Sequence, residues 1–152
     1  MVGVVKYSAW YDTALCRKCP DWLFVFGDNL RGFGKGGQAI IRSEPNAFGV
    51  PTKRQPAMTP GSFFRDENDA DLEAVLASLE NLWVEVEGGK TIVVPFENGL
   101  PSLGTERAKL PILAPKLYET ICNHITEMAG AHGWTNISSE DDLLALYKGE
   151  LI

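Results

Sequence analysis

The sequence predicts a three-layer α/β fold. Apolar runs at residues 2–7, 22–27 and 91–96 read as buried strands, and they alternate with stretches of helical periodicity, the longest at 71–82 and 111–128. Two glycine-bearing loops, 27–37 and 97–104, leave the carboxyl ends of two of these apolar runs. Ligands gather at that end of open α/β sheets, so the two loops are expected to share one cleft. At 152 residues, 45% hydrophobic and 22% charged, the chain suits one folded domain with a sizeable core. Residues 1–152 are expected to form it, with 134–152 as a C-terminal helical extension.

The elements follow in order. Residues 2–7 are rich in valine and read as the first strand. Asp12 or Thr13 caps a short helix through Lys18, which Pro20 ends. Residues 22–27 form the second strand, followed by the glycine loop and a helix from about Gly36 to Ser43. Asn46 to Pro51 is a short strand running into a loop, and Pro51, Pro56 and Pro60 keep residues 51–62 irregular. Leu72, Val75, Leu76 and Leu79 give the helix over 71–82 its apolar face. Gly88 and Gly89 break the chain before the interior strand Thr91–Phe96. Leu113, Leu117, Ile121 and Ile125 mark a helix from Pro111 to about Met128, and Ser139 to Asp142 start a last one.

A net charge of −6 argues against broad binding to a nucleic-acid backbone, although a small anion can still be held by local dipoles. No apolar run reaches membrane-spanning length and no signal-like segment follows Met1, so a cytoplasmic location is expected. Cys16 and Cys19 have the spacing of a redox pair or half a zinc site, but no second pair or nearby histidine completes one, and a structural role is favoured. No metal site and no cofactor is expected. His124 and His132 lack ligand spacing and read as surface or packing residues.

The candidate site centres on Gly32, Gly34, Gly36 and Gly37. Glycine at this density lets backbone N–H groups turn toward a common point, and a strand, such a turn and a helix start together make a phosphate cradle. Lys35 and Gln38 belong to the same run. Asp28 and Asn29, at the strand end, either accept from a ribose and orient water or act as an Asx cap on the turn. Thr52, Lys53 and Arg54 offer a hydroxyl and two cations, for phosphate or for solubility. Phe33, Phe48, Phe63, Phe64 and Phe96 are potential stacking platforms, each more readily explained as core. Glu97 is the best general-base candidate, with Asn98, Gly99, Leu100 and Gly104 beside it in the second loop.

The stretch from Phe24 to Arg54, with GDNLRGFGKGGQAIIRSEPNAFGVPTKR, together with TIVVPFENGLPSLGTERAKLPILAPKLYETI from Thr91 to Ile121, resembles small macro-domain-like proteins of phages and bacteria. The resemblance covers much of residues 22–125. It implies a macro-domain-like fold with a central mixed sheet between helices, and binding of ADP-ribose or a derivative. It puts Asp28 near the adenine or first ribose, Gly34 to Gly37 around the diphosphate and distal ribose, and Gly99 to Gly104 in a second phosphate loop. If the chain is phage-encoded, its place is the host cytoplasm. Pro101, Ser102 and Leu103 interrupt the second loop, and only Asp28-Asn29 stands where hydrolytic macro domains have two asparagines, so binding is expected ahead of hydrolysis.

Three functions are therefore carried forward. The first is recognition of ADP-ribose or a related nucleotide metabolite through the glycine loops. The second is ADP-ribosyl hydrolysis, with Asn29 or Glu97 positioning water. The third is a structural or protein-interaction domain without a nucleotide, in which the acidic segment Glu140–Asp142 and the apolar helix after it dock a partner or a second copy.

Overall fold

A computed structural model describes residues 2–104 and 108–150. Its strands are β1 (Val4–Tyr7), β2 (Leu23–Asn29), β3 (Ala47–Lys53), β4 (Ile92–Glu97), β5 (Leu100–Pro101) and β6 (Trp134–Ile137). Five of them make a parallel sheet in the order β3-β2-β4-β1-β6, and the two-residue β5 pairs antiparallel with β4. The chain is α/β, with a sheet of mostly parallel strands flanked by helices. The helices are α1 (Thr13–Lys18), α2 (Asp69–Glu87), α3 (Leu110–Leu113), α4 (Pro115–His132) and α5 (Glu140–Tyr147).

Period-two alternation gives each face of the sheet its own core. Val4, Val25, Ile92 and Val94 point to one side, where they meet Val75, Leu79 and Leu82 of α2 and Leu117, Ile121 and Ile125 of α4. Val5, Tyr7, Phe24, Phe26 and Val93 point to the other, against Leu15 and Cys16 of α1, Ile41, and Leu143 of α5. Most of these side chains are wholly buried. Burying each aliphatic one contributes roughly 1.5–3 kcal/mol before entropy is counted.

Local chemistry sets the element ends. Asp12 caps α1 by accepting from the Leu15 N–H, and Asn68 caps α2 by accepting from Ala70 and Asp71. α2 runs 19 residues, longer at both ends than its apolar spacing indicates. The expected helix over 36–43 is instead a five-residue 3-10 turn, Gly37–Ile41, too short to build a helix dipole. The helix expected over 111–128 is broken at Ala114, whose φ of −143° and ψ of 63° leave the helical region that the following Pro115 disfavours. Pro51 lies inside β3, which tolerates it as an edge strand.

The C-terminal segment is not a helical extension. Residues 134–137 form β6, which pairs in parallel with β1, and α5 buries Leu143 in the second core. Alternation in Trp-Thr-Asn-Ile is too short to stand out in sequence. Among the described residues no helix is long and apolar enough to cross a membrane.

Candidate functional site

The connections create the site. α1 leaves β1, and the 3-10 turn leaves β2, on the face of the second core. The chain leaving β4 enters α3 and α4 on the opposite face. β4 lies between β1 and β2, so the departures diverge on either side of it and open a crevice at the carboxyl ends of the strands. A cavity of about 620 Å³ occupies that crevice. Its size suits a nucleotide-sized ligand.

The first glycine loop forms much of the wall. Asp28, Asn29, Gly34, Gly36, Gly37 and Gln38 line the cavity, whereas Gly32 and Lys35 do not. Residues 31–37 are exposed. Among the described residues, the backbone N–H groups of Gly34, Lys35, Gly36 and Gly37 have no hydrogen-bond acceptor. The loop is held by side chains instead. Asn29 Oδ1 accepts from the N–H groups of Arg31 and Gly32 at 3.0 and 3.1 Å, and its Nδ2 donates to the Phe33 carbonyl at 2.9 Å. Both of its polar atoms are thus spent on the turn, which is the Asx-cap reading.

Asp28 is held as firmly. Its Oδ1 accepts from the Asn29 N–H at 2.7 Å and lies 2.6 Å from Arg42 Nη1. Its side chain lies across Gly49, where an added Cβ would come within 2.5 Å of Oδ2. Arg42 also donates from Nε to the Gly34 carbonyl at 2.8 Å and from Nη2 to the Phe33 carbonyl at 3.4 Å, with its guanidinium over the Phe26 ring. Sequence reasoning missed Arg42. It follows the strand–turn unit by fewer than ten residues, but nothing in the spacing separates it from a surface arginine.

The two cations after β3 part company. Thr52 and Lys53 line the cavity, and Lys53 Nζ donates to the carbonyls of Pro56 and Ala57. Arg54 lies outside it, paired through Nε and Nη2 with the buried carboxylate of Asp71 at 3.0 and 2.7 Å. That pairing raises the Arg54 pKa further and gives it a structural task.

The second loop divides as well. Asn98 and Gly99 have φ of 53° and 79°, the left-handed pair that a two-residue hairpin turn demands, and they join β4 to β5. Asn98, Gly99 and Leu100 therefore make a hairpin and do not line the cavity, unlike Gly104 at the far end of the same expected phosphate loop. The Asn-Gly dipeptide was the available signal. Ser102, Leu103 and Gly104 do line the cavity, as does Glu97, which is exposed and whose carboxylate has no hydrogen bond or ion pair among the described residues. Gly27 packs so closely on this segment that an added Cβ would sit 1.7 Å from the Leu103 carbonyl oxygen.

The aromatics sort by burial. Phe63 and Phe64 are core, Phe48 is partly buried against it, and Phe33 and Phe96 line the cavity. Phe33 is 55% exposed, and Trp10, which the sequence reading passed over, is 58% exposed on the same cavity. Large aromatics left in water beside a polar cavity are a natural platform for a planar ligand.

The remaining suggestive groups are structural. Cys16 and Cys19 are buried in the second core, and Asn46 Nδ2 lies within 2.9–3.0 Å of the carbonyls of Cys16, Cys19 and Trp22. Burial, with Glu44 adding to it, pushes the Cys16 thiol up to about 12, and burial with Glu140 pushes Cys19 to about 11, so both stay protonated. Tyr7, on the cavity wall, is pushed up to about 12 by burial and then by Glu140, Cys19 and Asp12. His124 accepts from the Trp83 indole at 3.1 Å and His132 packs on the Trp83 ring, away from the cavity. Among the described residues no three His, Cys, Asp or Glu side chains gather to hold a metal.

No curated protein and no solved structure matches the chain. A family match does exist, and it spans residues 6–124, which take in the carboxyl ends of β1 to β4 and so the whole rim of the cavity. The chain belongs to that family, DUF7831, a family of unknown function.

Proposed function

We propose that the protein binds ADP-ribose or a related nucleotide metabolite in the cavity at the carboxyl ends of β1, β2 and β4, on a three-layer, macro-domain-like frame. One observation carries the reading. A cavity of about 620 Å³ places the exposed rings of Trp10 and Phe33 beside a loop whose N–H groups at Gly34 to Gly37 lack acceptors among the described residues. Rings take a base, and unpaired N–H groups take phosphate oxygens without any need for a large positive charge. Asp28 is already neutralised by Arg42, so the cavity does not repel an anion there. A cytoplasmic setting is supported by three free thiols.

The test is calorimetric titration with ADP-ribose, NAD, ADP and cyclic dinucleotides, repeated on Gly36→Val. Gly36 has a φ of −77° and open space around the position of a Cβ, so the substitution leaves the fold intact while filling the cavity wall. Binding by the native chain that is lost in Gly36→Val supports the reading. A flat panel removes it.

ADP-ribosyl hydrolysis stands as the second reading, favoured by the exposed carboxylate of Glu97 on the cavity, which is unpaired among the described residues. Asn29 is committed to its turn, so water activation falls to Glu97 alone. Turnover that Glu97→Gln abolishes without changing affinity would establish it.

A further inference from the structure

We infer that Arg42 is the positioning residue that sets the polarity of the glycine loop, drawing its carbonyls inward so that its N–H groups face outward as anion donors. The inference rests on the binding reading for its consequence, but its physical basis is independent. Arg42 Nε takes the Gly34 carbonyl at 2.8 Å and Nη2 reaches the Phe33 carbonyl at 3.4 Å. In a planar trans peptide the C=O of one residue and the N–H of the next point in opposite directions. Holding these two carbonyls on the guanidinium therefore turns the N–H groups of Gly34 and Lys35 away from it. Those belong to the groups without an acceptor among the described residues.

The same fork is fixed at its other end. Nη1 is 2.6 Å from Asp28 Oδ1, and the guanidinium lies over the Phe26 ring, both on β2. The Arg42 side chain is only 15% exposed. One planar group thus ties a glycine-rich, exposed loop to the rigid strand that precedes it. A lysine cannot do this, because its single ammonium lacks the fork that reaches a carboxylate and two carbonyls at once.

The experiment compares wild type, Arg42→Lys, Arg42→Ala and, as a control for losing a surface arginine, Arg17→Ala, whose guanidinium pairs with Glu44. Amide hydrogen exchange is followed by mass spectrometry in the ligand-free proteins, and ADP-ribose and inorganic pyrophosphate affinities are measured by calorimetry. Both Arg42 variants should exchange faster at Leu30, Arg31 and Gly32, whose N–H groups are bonded to Lys53 and Asn29, while α2 and β4 keep wild-type protection, and Arg17→Ala should leave that segment unchanged. Affinity for both probes should fall at least about tenfold in both Arg42 variants, with no rescue by lysine. Unchanged exchange at residues 30–32 overturns the inference, as does full affinity in Arg42→Ala. Faster exchange throughout the molecule also overturns it, because it would mean that Arg42 supports the whole fold. If wild type binds neither probe, the binding reading fails by itself and the exchange data alone decide whether Arg42 holds the loop.

Discussion

The two glycine-bearing loops look alike in sequence and do different work. Each follows an apolar strand, and each places a polar residue at the strand end ahead of its glycines. In the first, the chain stays exposed, its turn is held by Asn29 and Arg42 side chains, and its own N–H groups at Gly34 to Gly37 remain unspent among the described residues. In the second, the backbone spends itself. Asn98 and Gly99 close a hairpin between β4 and β5, and the Ser102 N–H donates to the Pro95 carbonyl at 2.7 Å. Glycine content says that a chain can turn. Where the backbone donors go says whether the turn is left able to bind something.

The largest expected effect is on the contact that brings the two loops together. A Cβ at Gly27 would meet the Leu103 carbonyl oxygen at 1.7 Å, with rigid backbone on both sides. Gly27→Ala should cost about 3 kcal/mol or more in urea denaturation and widen the cavity mouth, because one segment must retreat. A loss under about 1 kcal/mol would mean that the loops are not locked together. Next comes the cation that sequence left undecided. Asp71 is 2% exposed and accepts from Arg54 and from the Arg65 N–H. Asp71→Ala should cost about 2–3 kcal/mol, below the full value for a buried pair because Arg54 remains partly in water. Lys53→Ala should cost little stability and weaken ligand binding, since Lys53 is the cation of the pair that reaches the cavity.

Much of the frame was legible because hydrophobic period and capping are local. The strands at 4–7, 23–29 and 92–97, the cap at Asp12 and the apolar centre of the helix over 69–87 follow from it. The glycine loop was legible as a turn at a strand end for the same reason. What escaped was set by partners far along the chain. β6 exists because β1 offers it a parallel ladder, and its four residues carry too little pattern to announce a strand. Arg54 is structural because Asp71 waits 17 residues later, and Arg42 matters because two loop carbonyls turn toward it. Trp10 follows the first strand in a segment without motif, so its exposure on the cavity could only come from topology.

A third motif extends the comparison, for Cys16 and Cys19 also look chemical in sequence and are buried in the structure. Their thiols are raised from 9.0 to about 12 and about 11, and the Tyr7 phenol from 10.0 to about 12. A raised pKa means that the folded state favours the protonated form. The stabilisation is complete below the unfolded values and is lost as pH rises toward the folded ones. Stability should therefore be flat with respect to these groups up to about pH 8.5, then fall between about pH 9 and 12, each group contributing up to about 1.4 kcal/mol per pH unit. Cys16→Ala should reduce that slope. An unchanged alkaline slope in Cys16→Ala would show that the thiol is not held protonated by the core.

A small expected effect on stability is the most discriminating between the loops. Gly99 has φ of 79° with open space around it, so Gly99→Ala meets no atom and suffers only the left-handed backbone penalty, about 1 kcal/mol. Because Gly99 lies in the hairpin and off the cavity, that loss should come with unchanged ligand affinity. Gly36→Val should do the reverse, with melting temperature kept and affinity lost, since its backbone is already in a region that valine adopts. The two variants form a crossed pair that chemical denaturation and calorimetry read separately. If Gly99→Ala also abolishes binding, the hairpin moves onto the ligand and the second loop regains a binding role. If Gly36→Val binds as well as wild type, the unspent N–H groups of the first loop are not what holds the ligand, and the aromatic wall at Trp10 and Phe33 must carry the affinity instead.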